Sequence, residues 1–237
     1  MALEHADLWP SWIAPVEESG QWVVLAAHCT VSRNLSGFPF PAQCHEDERD
    51  AIQRRILDAF DHINLFHRGK YYAAADLDTA SWQFLAERRL ITREWLHGQG
   101  TRGVYIAEDH AISIMINGTD HLVIRSLAPG MAAQQAWQPV SRMIDDLARF
   151  LDFTYQERLG FLTSRLGMVG TGLRIGILLH LPALAESDLL DDQAGPLRTQ
   201  GLELHGLVMG DPPGAALRDV HPAAGFSAAE EDAMTTQ

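Results

Sequence analysis

Arg174, Gly176 and His180 lie on one side of a stretch in which Leu173, Ile175, Ile177, Leu179 and Leu181 alternate with Arg174, Gly176, Leu178 and His180. A period of two is that of a β-strand, so the first set faces one way and the second the other. The second face presents a cation, a gap and an imidazole, directly after a glycine-rich turn at Gly167, Gly170 and Gly172. A flexible loop feeding a cation suits an anion such as a phosphate. A half-buried strand with one solvated arginine has the same pattern, so spacing alone leaves both readings open.

Other residues with chemical potential fall on similar strands. Ala26, His28 and Thr30 share a face if the strand at 21–27 runs on to Thr30. Arg125 shares a face with His121 and Val123, and Glu203 shares one with His205. No zinc-type spacing of ligands is present. Gly170-Thr-Gly-Leu is not a Walker loop, because no Gly-Lys-Ser/Thr follows it.

The elements that must position these residues read as α+β, an antiparallel sheet flanked by helices. Residues 1–20, with Trp9, Pro10, Trp12 and Pro15, read as an irregular arm that docks aromatics on the body. Residues 34–44 hold Gly37, Pro39 and Pro41 and read as a loop. Ile52, Ile56, Phe60 and Ile63 predict a helix over 46–63, and Asp78 caps a second over 79–89 with Trp82 and Leu85 inward. Strands follow at 103–107, 111–117 and 121–127, the last two joined at Asn117-Gly118, a hairpin signal. Trp137, Val140, Ile144, Leu147 and Leu151 predict a helix within 132–152. Residues 185–200 are polar, and 201–208 form another strand. From Asp211 on, Pro, Gly and Ala dominate and the end is acidic, which predicts a weakly ordered tail. The expected organisation is an arm (1–20), one domain (21–210) and a tail (211–237).

The chain has 237 residues, 46% hydrophobic and 21% charged, enough for one globular domain with a sizeable core. Its net charge of −13 argues against a nucleic-acid partner but not against a local basic pocket. Cys29 and Cys44 make neither a disulfide framework nor a cysteine-rich metal site. The first residues are polar and acidic, unlike a secretory signal, and no run of about 18 apolar residues predicts a membrane span. A soluble, cytoplasmic protein with no membrane partner is the expectation.

The wording of several segments adds to this. Gly-Phe-Leu-Thr (160–163), Gly-Thr-Gly-Leu-Arg (170–174) and His-Leu-Pro-Ala-Leu (180–184) follow one another. Ser-Arg-Asn-Leu (32–35) precedes Phe38-Pro-Phe40, and Asn117-x-x-Asp-His-Leu-x-Ile124 occupies the hairpin. Phe84-Leu-Ala-Glu-Arg-Arg-Leu-Ile-Thr92, Ser126-Leu-x-Pro-Gly130 and Ile144-Asp-Asp-Leu also match. In this order the motifs resemble the phosphagen (ATP:guanido) kinases, closest to the bacterial protein-arginine kinases. The resemblance implies an antiparallel sheet backed by helices, with ATP and Mg²⁺ on its open face. It implies transfer of the γ-phosphoryl group to a guanidinium, a reaction that depends on positioning and charge neutralisation.

Carried over position by position, the resemblance also implies losses. The family's early Arg-x-Arg falls on His28 and Thr30, the arginine after Asp-His-Leu on Val123, and the arginine of the later strand on His205. Arg174 keeps its place. The glutamate pair of the hairpin falls on Gly118 and Thr119, the substrate-side cysteine on Arg165, the adenine-side histidine on Arg89, and the Gly-Glu of the last loop near Gly210 and Asp211. The Cys-Pro-Thr-Asn segment reads Arg165-Leu-Gly-Met168, and the bacterial family's C-terminal helical domain has no counterpart. Each missing contact costs about 10²–10³ in rate, and a lost phosphate-binding arginine on the order of 10³–10⁵.

Two expectations follow. One is a family member without efficient catalysis that binds a protein partner: an arginine-containing protein, a related kinase or a protease adaptor. The other is an active phosphotransferase rearranged around Arg125, Arg165, Arg174 and Asp211. In both, Arg174, His28, Thr30, Arg89, Arg125, Gly176 and His205 form the nucleotide side, with Thr119, Arg165 and Asp211 at the family's catalytic positions. ATP and Mg²⁺ are the cofactors if nucleotide binding survives. His28, His121, His180 and His205 would then turn towards one pocket, but no metal site is expected from them.

Overall fold

The computed structural model describes residues 9–13, 23–63, 67–187, 189–206 and 217–223. Its elements, in chain order, are β1 (Val24–Arg33), α1 (Glu46–Asp61), β2 (Gly69–Ala73), α2 (Thr79–Glu87), α3 (Arg93–Leu96), β3 (Gly103–Ala107), β4 (Ile112–Ile116) and β5 (Leu122–Pro129). There follow α4 (Ala133–Leu147), β6 (Tyr155–Gln156), β7 (Gly160–Phe161), β8 (Leu173–His180), α5 (Pro182–Glu186), α6 (Leu190–Thr199), β9 (Leu202–Gly206) and β10 (Leu217–Pro222). Eight strands form one sheet in the order β2-β3-β4-β5-β1-β8-β10-β9. Every neighbouring pair is antiparallel, the α+β architecture expected.

One face of the sheet is the main core. Val31, Ile114, Ile124, Leu173 and Ile175 pack there with Ile52, Ile56 and Phe60 of α1 and Trp137, Val140 and Leu147 of α4. The helical spacing of those residues is what covers the sheet. On the opposite face, Met115, Val123, Val104 and Ile106 pack with Leu85, Leu90 and Trp95 from the α2–α3 segment. A smaller apolar patch joins Trp12, Ala26, Leu127 and Leu178. The predicted docking of arm aromatics therefore holds for Trp12, whereas Trp9 is exposed. Leu178 corrects the single-core-face reading of β8: its side is buried too, in the patch that includes Trp12.

The structure also corrects the expected C-terminal tail. Leu217–Pro222 is a strand of the sheet, between β8 and β9. Its sequence, Leu-Arg-Asp-Val-His-Pro, is free of glycine, and pairing on both edges satisfies its backbone. The polar stretch 185–200 includes the last two residues of α5 and all of α6. The remainder of the arm, Gly210, Asp211 and the acidic end lie outside the described residues.

Several motifs meet in space and have structural work. Asn34 Nδ2–H donates to Asp120 Oδ1 at 2.6 Å, and the His121 N–H donates to Asn34 Oδ1 at 2.9 Å. Asp120 Oδ1 also accepts from the Ser164 N–H at 2.7 Å. Arg33 donates to the Thr171 carbonyl at 2.7 Å and stacks over Phe161 at 3.8 Å. Gly172, at φ +66°, lets this loop pass β1: a Cβ there would stand 2.6 Å from the Ser32 carbonyl oxygen. The hairpin turn uses Asn117, at φ +55°, as its left-handed residue, with the Asn117 N–H donating to the His121 carbonyl at 3.0 Å.

His121 is fully buried and neutral. Its Nδ1 accepts from the Leu35 N–H at 3.0 Å, and its Nε2–H donates to the Pro39 carbonyl at 2.8 Å. Burial, only partly offset by the Pro39 bond and Asp120, lowers its pKa to about 4. Because the folded pKa lies below the unfolded value of about 6.5, the unfolded chain binds the extra proton between those values. Stability is expected to fall as pH drops from about 6.5 to about 4, by on the order of 3 kcal/mol from this residue. Urea midpoints measured across that window check it: His121→Gln should flatten the slope, and an unchanged slope would refute the assignment.

Candidate functional site

The register of β5, β1 and β8 builds the centre of the site. Thr30 is the cross-strand partner of Arg125 on one side and of Arg174 on the other. All three project from the same face, with the two arginine backbones about 10 Å apart, two strand spacings. One row along, His28 pairs with Leu127 and Gly176. These strands floor a cavity of about 630 Å³, walled by the α2–α3 segment, the hairpin turn, the 165–168 loop and β9–β10.

The cavity brings together most of the residues singled out from sequence. His28, Thr30, Arg89, Thr119, Arg125, Arg165, Arg174 and His205 all line it. Gly176 does not. It is the gap across which His28 reaches to the far strand: an added Cβ would overlap the imidazole and stand 3.0 Å from Asp219 Oδ1. His121 and His180 are also not among the lining residues, which corrects the expectation that four histidines converge. The His121 ring is spent on the loop at Leu35 and Pro39. Asp211 lies outside the described residues.

Four guanidinium groups therefore share one cavity in a protein of net charge −13. Arg125 is 8% exposed, and its Nε has no acceptor among the described residues. The Nε of Arg174 is likewise buried and unpartnered. Burial lowers the pKa of both, yet a guanidinium stays charged in proteins. Buried cations with orphaned donors fit a multivalent anion, and the phosphates of ATP with its Mg²⁺ belong to that class.

Asp219 and His28 form a buried hydrogen-bonded pair at the site. His28 Nε2–H donates to Asp219 Oδ1 at 2.7 Å. Burial pushes the His28 pKa down and keeps the ring neutral. Burial pushes the Asp219 pKa up, but the His28 hydrogen bond and the charges of Arg125 and Arg89 outweigh it. The carboxyl is held well below the usual carboxylate range. Sequence reasoning missed Asp219 and His221 because they lie in the stretch taken for a tail. The alternation of Arg218, Val220 and Pro222 with Leu217, Asp219 and His221 was the available signal. Glu94 was missed too; it lies in α3 and bonds Arg165 at 2.6 Å across the cavity mouth.

Arg89 is held by an unusual backbone. The Leu90 N–H donates to the Leu85 carbonyl and the Arg89 N–H to the Ala86 carbonyl, closing α2 with a Schellman motif. Arg89 takes its left-handed position, at φ +62°, where glycine is usual. Arg89→Gly is expected to relieve about 1 kcal/mol of strain while weakening anion binding. Calorimetric melting with and without Mg-ATP reads both: loss of stability in the ligand-free variant would show that the side chain serves packing instead.

Residues 51–232 match the family profile described as ATP:guanido phosphotransferase, C-terminal catalytic domain. The chain belongs to the ATP:guanido phosphotransferase family. Among the family's curated members it is 38% identical over 178 residues to the protein-arginine kinase of Symbiobacterium thermophilum, covering 74% of this chain and 49% of that protein. It is 32% identical over 189 residues to that of Halothermothrix orenii, covering 78% and 53%. The chain thus spans about half the length of these relatives. The fold agrees with family structures at low identity. A duplicated taurocyamine kinase from Schistosoma mansoni, with bound transition-state-analogue components, superposes with a TM-score of 0.75 at 18% identity over 93% of this chain and 32% of that one. A lombricine kinase gives 0.71 at 18% identity over 97% and 65%. Among the described residues no helix is long and apolar enough to cross a membrane.

Proposed function

We propose that this domain binds a polyphosphate nucleotide of the ATP class in the arginine-lined cavity, transfers its phosphoryl group poorly, and acts through binding a protein partner. One observation supports this most. Every carboxylate lining the cavity among the described residues is hydrogen-bonded to a protein group: Asp219 to His28, Glu94 to Arg165, Glu203 to His205, and Asp120 to Asn34 and Ser164. Phosphoryl transfer to a guanidinium needs a carboxylate that orients the acceptor and takes its proton. The hairpin that would present one offers Gly118 and Thr119 at the cavity instead. The cations needed to hold phosphates are present in the same space. If Mg-ATP binds, Arg125, Arg174 and Arg89 would hold the phosphates, and the Mg²⁺ would supply further charge neutralisation.

An arginine-containing protein, a related kinase or a protease adaptor is the partner class that fits this reading. The second reading is an active protein-arginine kinase. The four guanidinium groups favour it, since Arg125, Arg165 and Arg174 could neutralise a transferring phosphoryl group. One pair of measurements separates them: Mg-ATP binding by calorimetry, and transfer of labelled γ-phosphate to free arginine and to an arginine-rich protein. Binding with transfer at least about 10³-fold below kinase rates of roughly 1–100 s⁻¹ supports the first reading. Turnover within that range overturns it, and absence of nucleotide binding overturns both.

A further inference from the structure

We infer that Glu203, His205 and His221 form a binding site for a divalent transition-metal ion of the zinc class, on the two outer strands of the sheet. One ligating atom from each residue lies within 4.8 Å of the other two, and among the described residues no other group of three His, Cys, Asp or Glu side chains is drawn together in this way. All three line the cavity.

The backbone, and not a choice of rotamer, brings them together. In the β9–β10 ladder His221 is the direct cross-strand partner of Glu203, and Asp219 that of His205. Direct partners have Cβ atoms about 4.5–5.5 Å apart, and residues two apart on one strand share a face. The result is a two-by-two block of potential ligands on the cavity face. Asp219 is already engaged by His28 at 2.7 Å, which leaves two imidazoles and one carboxylate. That is the donor set of zinc sites that keep a position open.

The spacing suits an ion at the centre. Ligands at roughly 2.0–2.2 Å from a tetrahedral zinc lie about 3.3–3.6 Å from one another. His205 Nε2 and Glu203 Oε2 are 3.0 Å apart, and the two imidazoles stack with ring centroids 5.0 Å apart. Metal entry therefore asks for side-chain shifts of about an ångström and no movement of the strands. His221 is buried, and its Nδ1 lies 3.0 Å from the Pro222 carbonyl oxygen. A hydrogen bond from the second ring nitrogen to a backbone carbonyl is how ligating imidazoles are oriented and their tautomer fixed. The open position would take water or an anionic oxygen on the side of the cavity that holds Arg174.

The test uses the full chain and metal alone, with no nucleotide. Zn²⁺ is titrated by calorimetry and Co²⁺ by visible absorption. One saturable site is expected, with the intensified cobalt bands of a four-coordinate N,O environment. His205→Ala removes an exposed ligand and should fold normally while weakening binding at least about tenfold; Glu203→Gln should do the same. His221→Ala should also lose the site, and if it fails to fold the other two variants still decide. Absence of saturable binding, or binding unchanged in the His205→Ala/Glu203→Gln double variant, overturns the inference. Because no nucleotide enters the readout, that failure leaves the arginine row's proposed ligand standing.

Discussion

Arg125→Met is expected to remove most of the thermal stabilisation that Mg-ATP gives, while the ligand-free variant changes much less in stability. Arg125 sits in the floor of the cavity at 8% exposure with an unpartnered Nε. Replacing a buried charge by an apolar side chain of similar volume relieves its desolvation cost, but here it also removes a cation that helps hold Asp219 ionised, so the two effects oppose. A charge-assisted hydrogen bond to a phosphate is worth about 1.5–3 kcal/mol, so its loss should weaken nucleotide affinity roughly 10–150-fold. The parent at about 100 times its dissociation constant should gain about 2.7 kcal/mol from ligand. The variant at the same concentration should gain little. Arg174→Met is the companion: it is half-buried, so it should lose comparable affinity with no gain in stability. Equal ligand shifts in parent and Arg125→Met would show that the row of arginines does not hold the phosphates.

Asp219→Ala should be the most destabilising single change at the site, by roughly 3–5 kcal/mol. The substitution leaves the buried His28 Nε2–H without its acceptor and removes an opposing charge that interacts with Arg125 and Arg89. For a domain of this length that corresponds to a fall in Tm of about 6–20 °C. Asp219→Asn keeps an acceptor for His28 but not the charge, and should fall between. The pH dependence has a definite sign. A carboxyl whose folded pKa is depressed contributes stability above its unfolded pKa of about 3.9, and that contribution disappears as the solution is acidified. A histidine whose folded pKa is depressed, as at His28, loses stability as pH falls below about 6.5. Both act in the same direction, but in different windows, and only the carboxyl contribution is removed by the substitution, so below about pH 4 the parent should lose stability that Asp219→Ala no longer carries. Equilibrium denaturation of the two proteins at about pH 5 and about pH 2.5 checks this; parallel losses would refute the coupling.

Most of the sheet could be read from the chain because its strands obey a strict period of two with one apolar face. The β4–β5 hairpin and β8 follow from alternation alone, and α1 and α4 from helical spacing over the same core. Arg174 could be read for the same reason: it interrupts an apolar run at a position whose face was already fixed. Arg125 could be placed on a face, but its burial could not be foreseen, since that depends on neighbours brought from elsewhere in the sequence, among them the α2–α3 segment and Asp219. Asp219 and His221 were hidden by composition. Their strand is six residues long, amid proline, glycine and alanine, and it gains its structure from two neighbours rather than from its own propensity. Leu178 was assigned to the wrong kind of surface because nothing local announces that it joins an apolar patch with the distant Trp12. Glu94 escaped notice because a four-residue helix has too little pattern to read.

The place of β10 in the sheet has a kinetic consequence. β9 is made before β10 but, among the described residues, has no partner in the sheet except β10, which lies between β9 and β8. Until residues 217–222 are available, β9 has nothing to pair with and β8 presents an open edge of backbone donors and acceptors. Such edges invite association with other chains. Pairings that wait for distant segments are also slow, because the intervening loop must close first. During synthesis the core under α1 and α4, with β8 paired to β1, can therefore consolidate while the β10–β9 edge of the sheet remains unassembled. The Asp219–His28 pair, and with it one wall of the cavity, would then be among the last parts of the molecule to form.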